Sequence, residues 1–95
     1  TITEGSSITL KENITPIANA LDIVALLNGY TYDRKDGSAK KRAGLIAEET
    51  NEILPNVVTK DEIGNPTGIQ YTNLIAYLVE SIKELKRELD ELKSR

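Results

Sequence analysis

The chain has 95 residues, a formal net charge of −3, 39% hydrophobic and 28% charged residues, and neither histidine nor cysteine. That length fits one domain with a modest core, to whose stability a partner chain would add. The acidic balance argues against a nucleic-acid face, and the missing histidine and cysteine remove disulfides, most transition-metal sites and every histidine-based triad.

Four tyrosines supply all the aromatic content, with Phe, Trp and Met absent, so any core must be aliphatic. No apolar run reaches the roughly twenty residues that a bilayer crossing takes, and no signal-peptide pattern opens the chain. The abrupt start reads as a piece of a longer polypeptide. Chemistry is left to Ser, Thr, Lys, Asp, Glu and Tyr, and no cofactor or metal is expected.

Residues 1–5, "TITEG", read as an extended lead-in. Ser7 to Leu10 permits a short strand with Ile8 and Leu10 on one face. "NITPIANALDIVALLNG" predicts a helix, with Thr15 as cap, Pro16 in the first turn and Gly29 as stop. Its buried stripe is Ile17, Ala20, Leu21, Val24 and Leu27.

"YTYDRKDGSAKKRAGLIA" reads as a hairpin around Asp36-Gly37-Ser38, with a loop longer than two residues. Its basic run, Lys40, Lys41 and Arg42, reads as a solvated arm rather than a binding patch. "EETNEIL" predicts a short helix stopped by Pro55, whose adjacent Glu48 and Glu49 read as solvated first-turn residues rather than a catalytic carboxylate pair. "NVVTKDEIGNPTGIQY" supplies two short strands around a Gly-Asn-Pro turn.

From Thr72 to Arg95 the pattern is a long helix capped by Thr72 or Asn73. Ile75, Leu78, Ile82, Leu85, Leu89 and Leu92 recur three and four apart, a heptad seam of about three heptads. Toward the C-terminus the seam is too narrow for packing on a globular core, so a second helix is expected to cover it. Leu74, Tyr77 and Val79 widen the apolar face at the N-terminal half, which is expected to pack on its own domain. Ile at the a positions and Leu at d favour two strands in a parallel coiled coil, with Glu88 and Lys93 able to bridge between chains.

"LKENITPI", "NALDIVALLNGYTY", "GLIAEETNEILPNVV" and "GIQYTNLIAYLVESIKELKRELDELK" follow one another in an order that resembles the endosialidase-type C-terminal intramolecular chaperone. This is an autoprocessing serine peptidase domain of phage tail spikes, tail fibres and neck appendages. The resemblance runs from about Ser6 to the chain's end. It implies an α+β fold: a lead-in at 1–5, a globular head of short helices and β-hairpins at 6–71, and a C-terminal helix at 72–95 forming a trimeric coiled coil.

The implied function is an intramolecular chaperone that trimerises, promotes folding and assembly of the fibre or spike, and then releases itself by a single-turnover cut. Carried over residue by residue, Ser6 is the nucleophile, Lys11 its base, and Gly5-Ser6 the scissile bond. The pattern departs at Ser7, where the family commonly has aspartate. Ser7, four residues from Lys11, is the alternative nucleophile. Because Thr1 to Gly5 are still joined to Ser6, the bond is expected to be uncut in this copy.

The implied partners are two further copies and the upstream fibre of the same polypeptide, with no nucleic acid and no membrane. The implied location is the host cytoplasm during virion assembly, with release from the mature virion. The arm "YTYDRKDGSAKKRAG" is a candidate fibre contact, or else a flexible surface loop. Two other readings stand beside this one: a non-cleaving structural trimerisation module, and a Ser-Lys hydrolase of outside substrates, for which so short a chain leaves little material.

Overall fold

The computed structural model describes residues 3–95; Thr1 and Ile2 of the expected lead-in lie outside the described residues. The fold is α+β and ends in a long helix. In chain order its elements are α1 (Ala20–Val24), β1 (Tyr30–Tyr32), β2 (Arg42–Gly44), α2 (Ala47–Ile53), β3 (Val58–Lys60), β4 (Pro66–Ile69) and α3 (Tyr71–Lys93). One-turn 3-10 helices occupy Ile8–Leu10 and Pro55–Val57.

Two expectations are corrected here. Ser7 to Leu10 is not a strand: among the described residues no strand pairs with it, and the Ser7 hydroxyl accepts from the Thr9 amide, capping a 3-10 turn. The helix expected from Asn13 to Gly29 shrinks to five residues. Asn13 and Asn19 both take the left-handed conformation, which interrupts any helix through Thr15 and Pro16. The cap comes instead from α3, where Glu84 Oε1 and Oε2 accept from the amides of Ala20 and Leu21 at 3.1 and 2.7 Å. A carboxylate at that end satisfies two orphan donors and complements the helix dipole.

Both hairpins are antiparallel and form separate two-stranded sheets. In the first, Tyr30, Thr31 and Tyr32 pair with Gly44, Ala43 and Arg42. Its loop is organised by its own hydrogen bonds: the Lys41 amide donates to Asp33, the Arg34 amide to the Ala39 carbonyl, and the Ser38 amide to Asp36. In the second, Val58 pairs with Ile69 and Thr59 with Gly68, and the register shifts between Thr59 and Lys60. Isolated two-stranded hairpins are marginal in water. Here β3–β4 lies against α2, while Tyr30 and Tyr71 tie the first hairpin to α2 and α3.

The core is small and aliphatic. Leu54, Val57, Val58 and Leu74 are buried together, with Ile23, Leu27, Leu45, Ile53, Ile69 and Tyr77 packed around them. Leu74 and Tyr77 dock the first turns of α3 as expected, while Val79 stays exposed. Of the stripe expected on α1, Ala20 is buried and Ile17, Leu21, Val24 and Leu27 are half-buried. The α3 cap also differs from expectation: Gln70 holds the capping position, and Thr72 and Asn73 lie inside the first turn.

Candidate functional site

Ser6 sits just before the 3-10 turn and Lys11 just after it. Folding five residues through that turn brings the Lys11 Nζ to donate to the Ser6 Oγ at 2.7 Å. The Ser7 hydroxyl is turned the other way, engaged with the amide and hydroxyl of Thr9 at 3.3 and 2.9 Å. Ser7 thus serves as a cap, and Ser6 is the serine in contact with the lysine.

Gly5 does not use a left-handed backbone, which is confined among the glycines to Gly37 and Gly64. Its missing side chain instead leaves room for Leu10, whose Cδ1 would lie 3.2 Å from a Cβ at that position. The scissile-bond candidate therefore rests against the same turn that carries Lys11.

Glu4, Gly5, Ser6 and Lys11 form one wall of a cleft of about 670 Å³, closed on the other side by Asn56, Val57 and the first two turns of α3. Thr72 Oγ1 donates to Glu4 Oε1 at 3.2 Å across the cleft. Asn56 Nδ2 donates to the Tyr77 hydroxyl at 2.8 Å, and the Gln70 amide donates to the Val57 carbonyl at 2.7 Å. Ser6 and Lys11 are both exposed in the single chain. Sequence reasoning did not single out Glu4, Asn56, Thr72 or Tyr77 for this site. Their contacts span 21 and 68 residues, beyond the reach of any local pattern.

Glu48 and Glu49 do not behave alike. Glu48 is exposed, while Glu49 accepts from Asn28 Nδ2 at 2.8 Å and from the Tyr30 hydroxyl at 2.9 Å. That hydrogen bond to Glu49 raises the Tyr30 pKa above its ordinary value of 10.0. The carboxylate fastens β1 to α2 and is not a first-turn residue left to solvent.

The six seam residues lie along α3, and all are exposed in the single chain, from Leu85 at 45% to Ile82 at 67%. The head leaves all six at least 45% exposed, although Leu78 borders the apolar pocket lined by Val24, Leu27 and Leu45. Ion pairs Lys83–Glu80, Lys86–Asp90 and Arg95–Glu91 decorate the helix beside the seam.

Part of the chain that carries this geometry matches a known family. Residues 6–59 match the family model described as chaperone of endosialidase, so the chain belongs to that family. The match opens on Ser6. Among curated relatives, the chain is 40% identical over 97 residues to the long tail fiber protein Gp37 of Enterobacteria phage K3, covering 95% of this chain and 8% of that protein. The same protein of Enterobacteria phage T2 is also 40% identical over 97 residues, covering 95% and 7%. That of Salmonella phage S16 is 36% identical over 100 residues, covering 88% and 13%. The chain therefore spans a small fraction of the length of the relatives it resembles.

Proposed function

We propose that this chain is the assembly chaperone of a phage tail fibre, which trimerises, brings three fibre chains into register, and then severs itself at Gly5-Ser6. The observation that carries the reading is the 2.7 Å contact between Ser6 Oγ and Lys11 Nζ, at the point where the family match begins.

Surface area supports association. The single chain exposes 7854 Å², against about 5,400 Å² for a compact monomer of 10.5 kDa. The surplus of about 2,400 Å² is on the scale of an obligate interface. The exposed α3 seam supplies its apolar stripe. Three copies is the number the family resemblance implies, against the two-strand preference of Ile at a and Leu at d. Holding three heads together would raise the effective concentration of the attached fibre chains.

In the chemical step, Ser6 Oγ attacks the Gly5 carbonyl carbon while neutral Lys11 takes the hydroxyl proton. The tetrahedral oxyanion collapses with cleavage of the Gly5–Ser6 C–N bond, and the proton passes to the Ser6 amine. Gly5 is then esterified to Ser6 Oγ. Water hydrolyses the ester, leaving a Gly5 carboxylate and a Ser6 amino terminus.

A lysine acts as base only when burial or nearby positive charge makes its neutral form accessible. Lys11 is exposed in the single chain, so the covering group is a neighbouring copy or the fibre itself. The arm between Asp33 and Arg42, with five basic side chains against two acidic, supports a contact with a fibre surface of opposite or polar character.

The test joins the chain to an upstream fibre segment and follows its intact mass beside Ser6→Ala and Lys11→Ala. Release of a fragment ending at Gly5 from the parent alone is expected. A parent that stays whole while sedimenting as a trimer would leave the non-cleaving registration module as the function.

A further inference from the structure

We propose that Thr72 is a positioning residue for this cleavage, holding the segment upstream of the scissile bond through Glu4, so that the domain selects a hydrogen-bond acceptor two residues before its cut. The proposal rests on the cleavage reading and adds a residue pair which that reading does not use.

Residues 3–6 have no regular secondary structure and are exposed. Left alone, such a segment would sample many orientations, whereas attack requires the Gly5 carbonyl to sit about 3 to 3.5 Å from the serine oxygen. Three groups hold residues 4–6, one for each residue. Ser6 Oγ accepts from Lys11 Nζ. Gly5 lies against Leu10. Glu4 Oε1 accepts from Thr72 Oγ1 at 3.2 Å.

The first two contacts are local to the turn and would move with it. The Glu4 contact ties the segment to the body of the domain. Its donor lies in the first turn of a 23-residue helix whose next turn carries Leu74 into the core. Thr72 is not the residue that caps α3, so its hydroxyl is not needed to satisfy the helix end.

The experiment follows cleavage by intact mass in the chain joined to an upstream fibre segment. Thr72→Val, which keeps the shape and removes the hydroxyl, and Glu4→Ala are each expected to slow cleavage about tenfold, the scale of one hydrogen bond to a charged group. Thr72→Ser and Glu4→Gln, which keep donor and acceptor, are expected within about threefold of the parent. The double variant Glu4→Ala with Thr72→Val should be no slower than either single one, because the two side chains act as one contact. Thermal melts followed by helix signal should not move. Additive losses, or a serine variant as slow as the valine one, would overturn the proposal.

A second readout does not depend on self-cleavage. In the Ser6→Ala chain, a glutamate-specific protease should cut after Glu4 about ten times faster with Thr72→Val than with threonine or serine there. Equal rates would overturn the anchor. A parent that never cleaves itself but shows Thr72-dependent protection would sink the peptidase reading and leave the anchor as a binding contact. A cleaving parent without that protection would do the reverse.

Discussion

At Gly44 the absence of a side chain is a packing requirement. A Cβ there would come within 2.6 Å of the Tyr71 hydroxyl oxygen and 3.3 Å of Tyr32 Cε1. That hydroxyl accepts the Leu45 amide at 3.0 Å, the contact fastening the end of β2 to the start of α3. Gly44→Ala should therefore cost about 1 to 3 kcal/mol, as overpacking against a fixed neighbour does. Gly29→Ala, with nothing within 4 Å of the added carbon, should change little. Urea midpoints of the two variants check the contrast. At this scale the Ser6 to Lys11 spacing was legible, because a known motif marks it and one turn of chain closes it. The Gly44–Tyr71 approach was not, since nothing in either sequence neighbourhood names the other residue.

The elements differ in legibility for the same reason. The 23-residue α3 and both hairpins follow from periodicity and turn residues that lie next to each other in the chain. The five-residue α1 does not, because Asn19 takes a left-handed backbone and the cap, Glu84, arrives from a different helix. The strand expected at Ser7 to Leu10 failed because alternation alone provides no partner, while Ser7 offers the local backbone a hydrogen bond of its own. The β3–β4 turn shows a local carboxylate fixing an element. Asp61 accepts from the amides of Asn65 and Ile63 at 2.8 and 3.1 Å and from Asn65 Nδ2 at 3.2 Å. The Asn65 amide bond, foremost among these, outweighs desolvation and holds the carboxyl below its ordinary 3.8. A depressed carboxyl pKa means that its contribution is present above the unfolded value and lost as pH falls through the folded one. The amide shifts of Asn65 and Ile63 should titrate together with a midpoint below 3.8, and hairpin protection against exchange should fall over the same window. Asp61→Asn should remove that acid dependence. A midpoint above 3.8 would contradict the assigned hydrogen bonds.

For the whole molecule the dominant fact is the imbalance between a core cluster of four buried aliphatic side chains, with Ala20 buried apart from it, and a seam of six exposed ones. So few fully buried side chains give a single copy little apolar burial to set against the chain entropy of its ordering. A proposed partner covering the seam would make stability depend on concentration, since whatever binds only the folded chain shifts its unfolding by mass action. The melting temperature of the parent should then rise with protein concentration while its sedimentation coefficient moves to the oligomer. Leu85→Ala with Leu89→Ala should remove both effects, because both side chains are exposed in the single chain and neither belongs to the core cluster of the head. Head contacts such as Glu84 to α1 should survive in that variant and report as amide protection at Ala20 and Leu21. A parent whose melt ignores concentration, with the double variant melting at the same temperature, would mean that the seam is not an interface. The registering role would then have to lie in the head and its basic arm.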